Sequence, residues 1–174
     1  LSAGDIRRAR VRHVHIGELT TLIERPDVLA AARDAGATVS LDCGWDDELE
    51  ATGIAALLAE VDVFLPNASE ADALQRLGVP LDGPGLTVVK CGADGAMATV
   101  GTRMIHIDAP AVANVDPTGA GDAFNAGFLD AWLAGQDVEA CLTAGNATGA
   151  RAVSGCGGFP NGVERAQVAK IATH

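Results

Sequence analysis

An α/β fold built on a mainly parallel sheet is what this sequence predicts, and three observations predict it. Short apolar runs alternate with longer stretches of helical periodicity along the chain. Gly, Pro, Asn or Asp punctuates most of the junctions between them. The 174 residues are 48% apolar, enough to give one domain of this size a substantial core.

Taken in order, Val11 to Ile16 reads as a strand, and Pro26 to Ala35 as a helix closed by Gly36. Thr38 to Asp42 is a second strand, and Asp47 to Ala59 a second helix. Val61 to Leu65 is a short apolar strand, followed by a helix from Ser69 to Leu77 that stops at Gly78. Leu86 to Cys91 reads as a buried strand. Ala96 to Val100 and Arg103 to Ile107 flank Gly101-Thr102, which signals a hairpin. Helices are expected over Ala120–Leu133, Val138–Val153 and Val163–Ile171. Apolar strands alternating with helices imply a sheet covered on both faces, and ligands of such sheets bind beyond the carboxyl ends of the strands.

Charge narrows the partners. Twelve Lys and Arg against 23 Asp and Glu give a formal net charge of -11, which argues against nucleic acid and against anionic membrane surfaces. The apolar stretches fall short of the roughly 20 residues of a spanning helix. Cys43, Cys91, Cys141 and Cys156 are scattered with no C-x-x-C pair, so structural zinc is not expected. They read as reduced thiols of a cytoplasmic protein. His13, His15, His106 and His174 form no constellation; His13 and His15 share one face of the first strand, where packing or solvent contact accounts for them.

The densest chemistry lies in Val115-Asp116-Pro117-Thr118-Gly119-Ala120-Gly121-Asp122-Ala123-Phe124. Gly119 and Gly121 let the backbone approach a ligand, and the helix that follows adds the partial positive charge of its N-terminus. This is an anion site. Asp122 in the first turn would suit a base that takes a proton from a hydroxyl attacking a phosphate, or it merely complements the helix dipole. Pro66-Asn67-Ala68-Ser69-Glu70 follows a strand, and there Asn67 or Ser69 could simply cap a helix whose dipole Glu70 favours. Lys90-Cys91-Gly92-Ala93-Asp94-Gly95 suits a hairpin turn or a loop over a nucleotide. Ser154-Gly155-Cys156-Gly157-Gly158 is a helix exit or a loop whose carbonyls hold a cation. No G-x-x-x-x-G-K-[ST] is present, so this is not a P-loop. Gly119-Ala120-Gly121 opens a G-x-G, but Phe124 stands where a dinucleotide fingerprint needs a small residue.

Asp116 to Gly127 closely resembles the second signature of the ribokinase-like (PfkB) carbohydrate kinases, Asn67-x-x-Glu70 resembles their N-x-x-E motif, and Lys90 to Gly95 resembles their nucleotide-loop strand end. The three occur in the family's order and spacing, and the resemblance runs from about residue 11 to the C-terminus. It implies a ribokinase-like three-layer α/β/α fold and ATP-dependent phosphorylation of a hydroxyl on a small sugar or sugar acid. Asp122 would be the catalytic base, with the amides of Gly119, Ala120 and Gly121 as anion hole. Asn67 would approach the ATP phosphates, and Glu70 would organise Mg²⁺ through water. Lys90, Gly92, Ala93, Asp94 and Gly95 would border the nucleotide, and Asn146 would face its adenine side. Asp116, Thr118, carbonyls of Ala152, Gly155 and Gly157, and Asn161 match a monovalent-cation loop, which implies K⁺. Gly155 and Cys156 depart from the basic residue that many relatives carry there.

The family's first half, with its Gly-Gly-x-x-x-Asn-type segment, most sugar contacts and a small dimerising β lid, has no counterpart here. The chain is therefore expected to be the C-terminal portion of such a kinase, inactive by itself. An exposed sheet edge and core face would favour association, including a homo-oligomer. The other reading is a non-catalytic nucleotide-binding or interaction fragment.

Overall fold

A computed structural model describes residues 2–44, 51–100, 102–112 and 116–154. Six strands form one sheet in the order β1-β2-β3-β4-β5-β6. They are β1 (His13–Ile16), β2 (Thr38–Leu41), β3 (Val63–Phe64), β4 (Leu86–Lys90), β5 (Ala96–Val100) and β6 (Arg103–Ile107). The first four are parallel, with His13 opposite Thr38, Ser40 opposite Val63 and Val63 opposite Leu86. β5 turns back antiparallel on β4, with Lys90 opposite Ala96.

Seven helices accompany the sheet among the described residues: α1 (Ala3–Arg8), α2 (Leu19–Glu24), α3 (Asp27–Ala35), α4 (Ile54–Leu58), α5 (Ala68–Arg76), α6 (Ala120–Leu133) and α7 (Val138–Val153). The chain divides into two compact units, Leu1–Gly92 with Ala96–Ile105, and Ala93–Gly95 with His106–His174.

In the first unit one apolar cluster joins sheet and helices. Val39 and Leu41 of β2 meet Leu29 and Ala32 of α3, Ile54 and Leu58 of α4, Leu19 and Leu22 of α2, and Ile6 of α1. Alternation along the strand puts Ser40 on the opposite face. There its hydroxyl lies 2.8 Å from His13 Nε2 and 2.7 Å from His15 Nδ1, and Thr38 Oγ1 lies 2.8 Å from His13 Nδ1. The two histidines thus belong to a polar seam along β1 and β2.

The second unit is built on the α6–α7 pair. Phe124 and Phe128 stack with centroids 6.0 Å apart. The helices approach closely because Gly145 faces Phe124: a Cβ there would lie 2.7 Å from the ring.

Several expectations need revising. Of the helix expected over Asp47 to Ala59, residues 47–50 lie outside the described residues, and among the described ones α4 runs Ile54–Leu58 behind Gly53 at φ 84. β3 is two residues long, and α5 starts at Ala68, with Asn67 as its cap. α1 and α2 were not expected; α1 is announced by the box in which Ser2 and Asp5 cap each other, and α2 by Leu19 and Leu22 one turn apart. The helix expected over Val163–Ile171 lies outside the described residues.

Candidate functional site

In the first unit, the expected residues gather at the carboxyl ends of β3 and β4. Asn67 Oδ1 accepts the Glu70 N–H at 2.9 Å, and Glu70 Oε2 accepts the Asn67 N–H at 2.7 Å. Capping is therefore real here. It also holds the Glu70 carboxylate at the mouth of α5, where oxygen ligands suit a hard cation.

Lys90 is tied to the same place twice. Its N–H donates to Pro66 O at 2.9 Å, in a parallel bridge with Asn67. Its Nζ lies 2.7 Å from Asp42 Oδ2, with the two side chains 12% and 13% exposed. Asp42 Oδ1 accepts the Cys43 N–H at 2.7 Å. The Cys43 thiol is pushed up to about 12 by burial first and then by the Glu70 and Asp42 carboxylates, while Lys90 acts in the opposite direction. Three charges thus act on one buried thiol at these strand ends. Asp42 was not among the expected site residues. The available signal was a carboxylate closing an otherwise uncharged strand.

In the second unit, α6 opens on a glycine. Gly119 sits at φ 75, a conformation that side chains disfavour, and no side chain caps the helix. The first intrahelical bond runs from Ala123 N to Gly119 O at 2.9 Å, and Ala120 N donates to Pro117 O at 3.2 Å. Gly121 and Asp122 N–H belong to the first turn, where a helix offers no acceptor of its own. The Asp122 side chain stands in that turn, on an exposed residue.

Asp116 Oδ1 accepts the Thr118 N–H at 2.9 Å, and Asp116 N donates to Val153 O at 3.2 Å. Asp116 and Thr118 therefore lie against the last turn of α7, which contains Ala152; the Ala152 carbonyl accepts the Ser154 N–H. Gly155, Gly157 and Asn161 lie outside the described residues.

The expected nucleotide loop divides between the units. Gly92 ends the first, and Ala93, Asp94 and Gly95 belong to the second. Gly92 to Asp94 make a single exposed 3-10 turn. Gly95 is buried at φ 91, and a Cβ there would lie 2.0 Å from Ile107 O. His106 Nε2 donates to Asp94 O at 2.9 Å. Asn146 is 5% exposed, and its Nδ2 donates to Ile107 O at 2.8 Å and Asp108 O at 3.3 Å. Its amide N–H groups thus hold the chain leaving β6. His106, set aside at first, pins the turn. No pattern in the sequence marked it.

Among the described residues, no three His, Cys, Asp or Glu are grouped to hold a metal. Glu70, held at the mouth of α5 by its cap with Asn67, has the oxygen chemistry that a hydrated Mg²⁺ would take.

Comparison with known proteins decides the family. The model of the pfkB family carbohydrate kinases matches residues 11–160. The chain belongs to that family. It is 37% identical over 155 residues to an ATP-dependent ribose-1-phosphate kinase of Halopiger xanaduensis, covering 84% of this chain and 51% of that protein. Among solved structures, the nucleoside kinase of Methanocaldococcus jannaschii, an archaeal member of the ribokinase family, superposes with a TM-score of 0.72 at 27% identity over 84% of this chain and 50% of that one. A fructokinase double mutant from Vibrio cholerae, bound to fructose, ADP and potassium ion, gives 0.70 at 23% identity over 85% and 56%. The fold is thus the ribokinase-like α/β fold expected from the sequence. The chain spans about half the length of the curated relatives it matches, 51% of the first.

Proposed function

We propose that this chain carries the nucleotide side of a kinase that transfers the γ-phosphate of ATP to a hydroxyl of a small sugar, sugar acid or nucleoside. The observation that carries this reading is the start of α6: a glycine cap at φ 75, no side-chain cap, and Asp122 in the first turn.

Asp122 would take the proton from the acceptor hydroxyl as its oxygen attacks phosphorus, leaving the carboxyl neutral until product departs. Amides of Gly119, Ala120 and Gly121 would stabilise the charge growing on the transferred phosphoryl oxygens. For Ala120 that means giving up its 3.2 Å bond to Pro117 O. Asn67 would approach the phosphates, and Glu70 would face the hydrated Mg²⁺, which neutralises phosphate charge when bound. Gly92 to Gly95 would border the nucleotide, with Asn146 shaping the adenine side through the 107–108 carbonyls it holds. Oxygens of Asp116, Thr118 and Ala152, with Gly155, Gly157 and Asn161, would take K⁺, a reading supported by the potassium-bound fructokinase.

Asp122→Asn tests this in the complete enzyme. ATP affinity should stay within about twofold while kcat falls at least ~10²-fold, the scale of lost general-base catalysis. A panel of ribose 1-phosphate, nucleosides, fructose and sugar acids supplies the acceptors. Turnover near the wild-type rate would remove Asp122 from the mechanism.

A further inference from the structure

The Lys90–Asp42 pair reaches over a strand. β2 and β4 are not neighbours, since β3 runs between them. β3 is only two residues long, so the chain leaves the sheet at Leu65 and Pro66 and enters the Asn67–Glu70 box at once. From the end of β4, Lys90 crosses this exit to Asp42 just past β2, 2.7 Å away. Its own N–H meanwhile holds the exit at Pro66 O, 2.9 Å away. One residue thus ties three strand ends together, and it is bridged to Asn67, one of the expected phosphate residues.

Charge sharpens the point. The Lys90–Asp42 pair itself is poorly hydrated, with side chains 12% and 13% exposed, and the neighbouring Cys43 feels both of its charges together with the Glu70 carboxylate. An ammonium 2.7 Å from Asp42 offsets that carboxylate and leaves Glu70 as the principal negative charge offered to a cation. Taking the ammonium away would leave two carboxylates near the place where ATP must bring its own negative charge. Removing one partner of such a pair is far more disruptive than removing both.

We propose that Lys90 is a positioning residue: through its ion pair with Asp42 it braces the strand ends that carry Asn67 and Glu70 and sets their net charge, and its ammonium does not itself hold ATP. The proposal rests on the kinase reading above for its ligands. It assigns the side chain of Lys90 to the protein and leaves only its backbone to border the nucleotide.

The test uses the complete enzyme with Lys90→Met, Lys90→Arg, Asp42→Asn and the double variant Lys90→Met/Asp42→Asn, read by ATP binding, by binding of Mn²⁺ alone, and by thermal melting. Lys90→Met should raise the ATP dissociation constant at least about tenfold and tighten Mn²⁺ at least about threefold, the effects of one uncovered carboxylate in a partly dehydrated site. Asp42→Asn should weaken Mn²⁺, and Lys90→Arg should stay near wild type. The double variant should recover both affinities to within about twofold and most of the melting temperature. If Lys90 grips a phosphate directly, the double variant will lose ATP as fully as Lys90→Met and Mn²⁺ affinity will not change, which overturns the proposal. Should Lys90→Met not fold, the double variant decides alone: ATP affinity retained supports the brace, and ATP affinity lost refutes it. Wild-type protein that takes up no ATP would sink the kinase reading instead; the brace is then judged by whether the double variant regains the melting temperature lost in the single one.

Discussion

On the proposed reading, Glu70 would serve structure and chemistry with one side chain. Its carboxylate accepts the Asn67 N–H at 2.7 Å, so Glu70→Gln should cost little stability, because an amide oxygen can accept the same bond. The substitution does remove the charge a hydrated cation would feel. The Mg²⁺ concentration giving half-maximal rate should therefore rise about fivefold or more, with the acceptor KM moving less than twofold. Steady-state kinetics at varied Mg²⁺ read this directly, and an unchanged Mg²⁺ dependence would reduce Glu70 to a capping residue. Much of this was legible beforehand. Asn67-x-x-Glu70 marks both a capping box and the family motif, because the geometry that lets the pair cap a helix also aims it past the strand end. Asp42 and His106 were not legible, since one depends on a contact 48 residues away and the other on a carbonyl 12 residues away.

Among elements, strand and helix identity came through better than their ends. α6 and α7 have the expected boundaries, Ala120–Leu133 and Val138–Val153, because a long helix declares its own period and caps. α1, α2 and α4 run five or six residues each, too short for periodicity to rise above chance; the apolar cluster they share holds them. The turn between β4 and β5 makes a sharper demand. Gly95 stands at φ 91 with Ile107 O where a Cβ would go, so Gly95→Ala must displace backbone as well as adopt a disfavoured angle. About 3 kcal/mol or more should be lost in a denaturant titration, with nucleotide affinity falling alongside. A loss under about 1 kcal/mol would mean that the turn reorganises freely. The dipeptide pattern pointed to glycines here; it did not reveal which of them faces a wall.

For the whole molecule, pH should define a window of stability. His13 is held below the ordinary 6.5 by burial first and then by His15, with Asp62 opposing. The unfolded chain therefore binds this proton more readily, and stability present above about pH 6.5 falls as pH drops through that value. Cys43 works at the other edge: its thiol is moved from 9.0 to about 12, chiefly by burial. The unfolded thiol ionises first, so stability declines as pH rises above 9.0 toward 12. Melting temperatures between pH 5 and 10.5 should pass through a plateau near neutrality. His13→Gln should flatten the acid limb and Cys43→Ala the alkaline limb; limbs that keep their slopes in these variants would assign them to other groups. The comparisons agree with the sequence on what this fold is. Its acceptor was not legible, because the residues that carry the resemblance are the ones it assigns to phosphate, nucleotide and cation.

The order of the strands in the sheet is their order along the chain. Few folds of parallel strands are so plain, since many return later segments to the middle of an earlier pair. As these strands leave the ribosome, each from β2 onward meets a neighbour that has already been made. Pairing can advance from one edge in step with translation, at rates of about 5–20 residues per second. Among the described strands, the one most recently released is always the edge on which the next can pair.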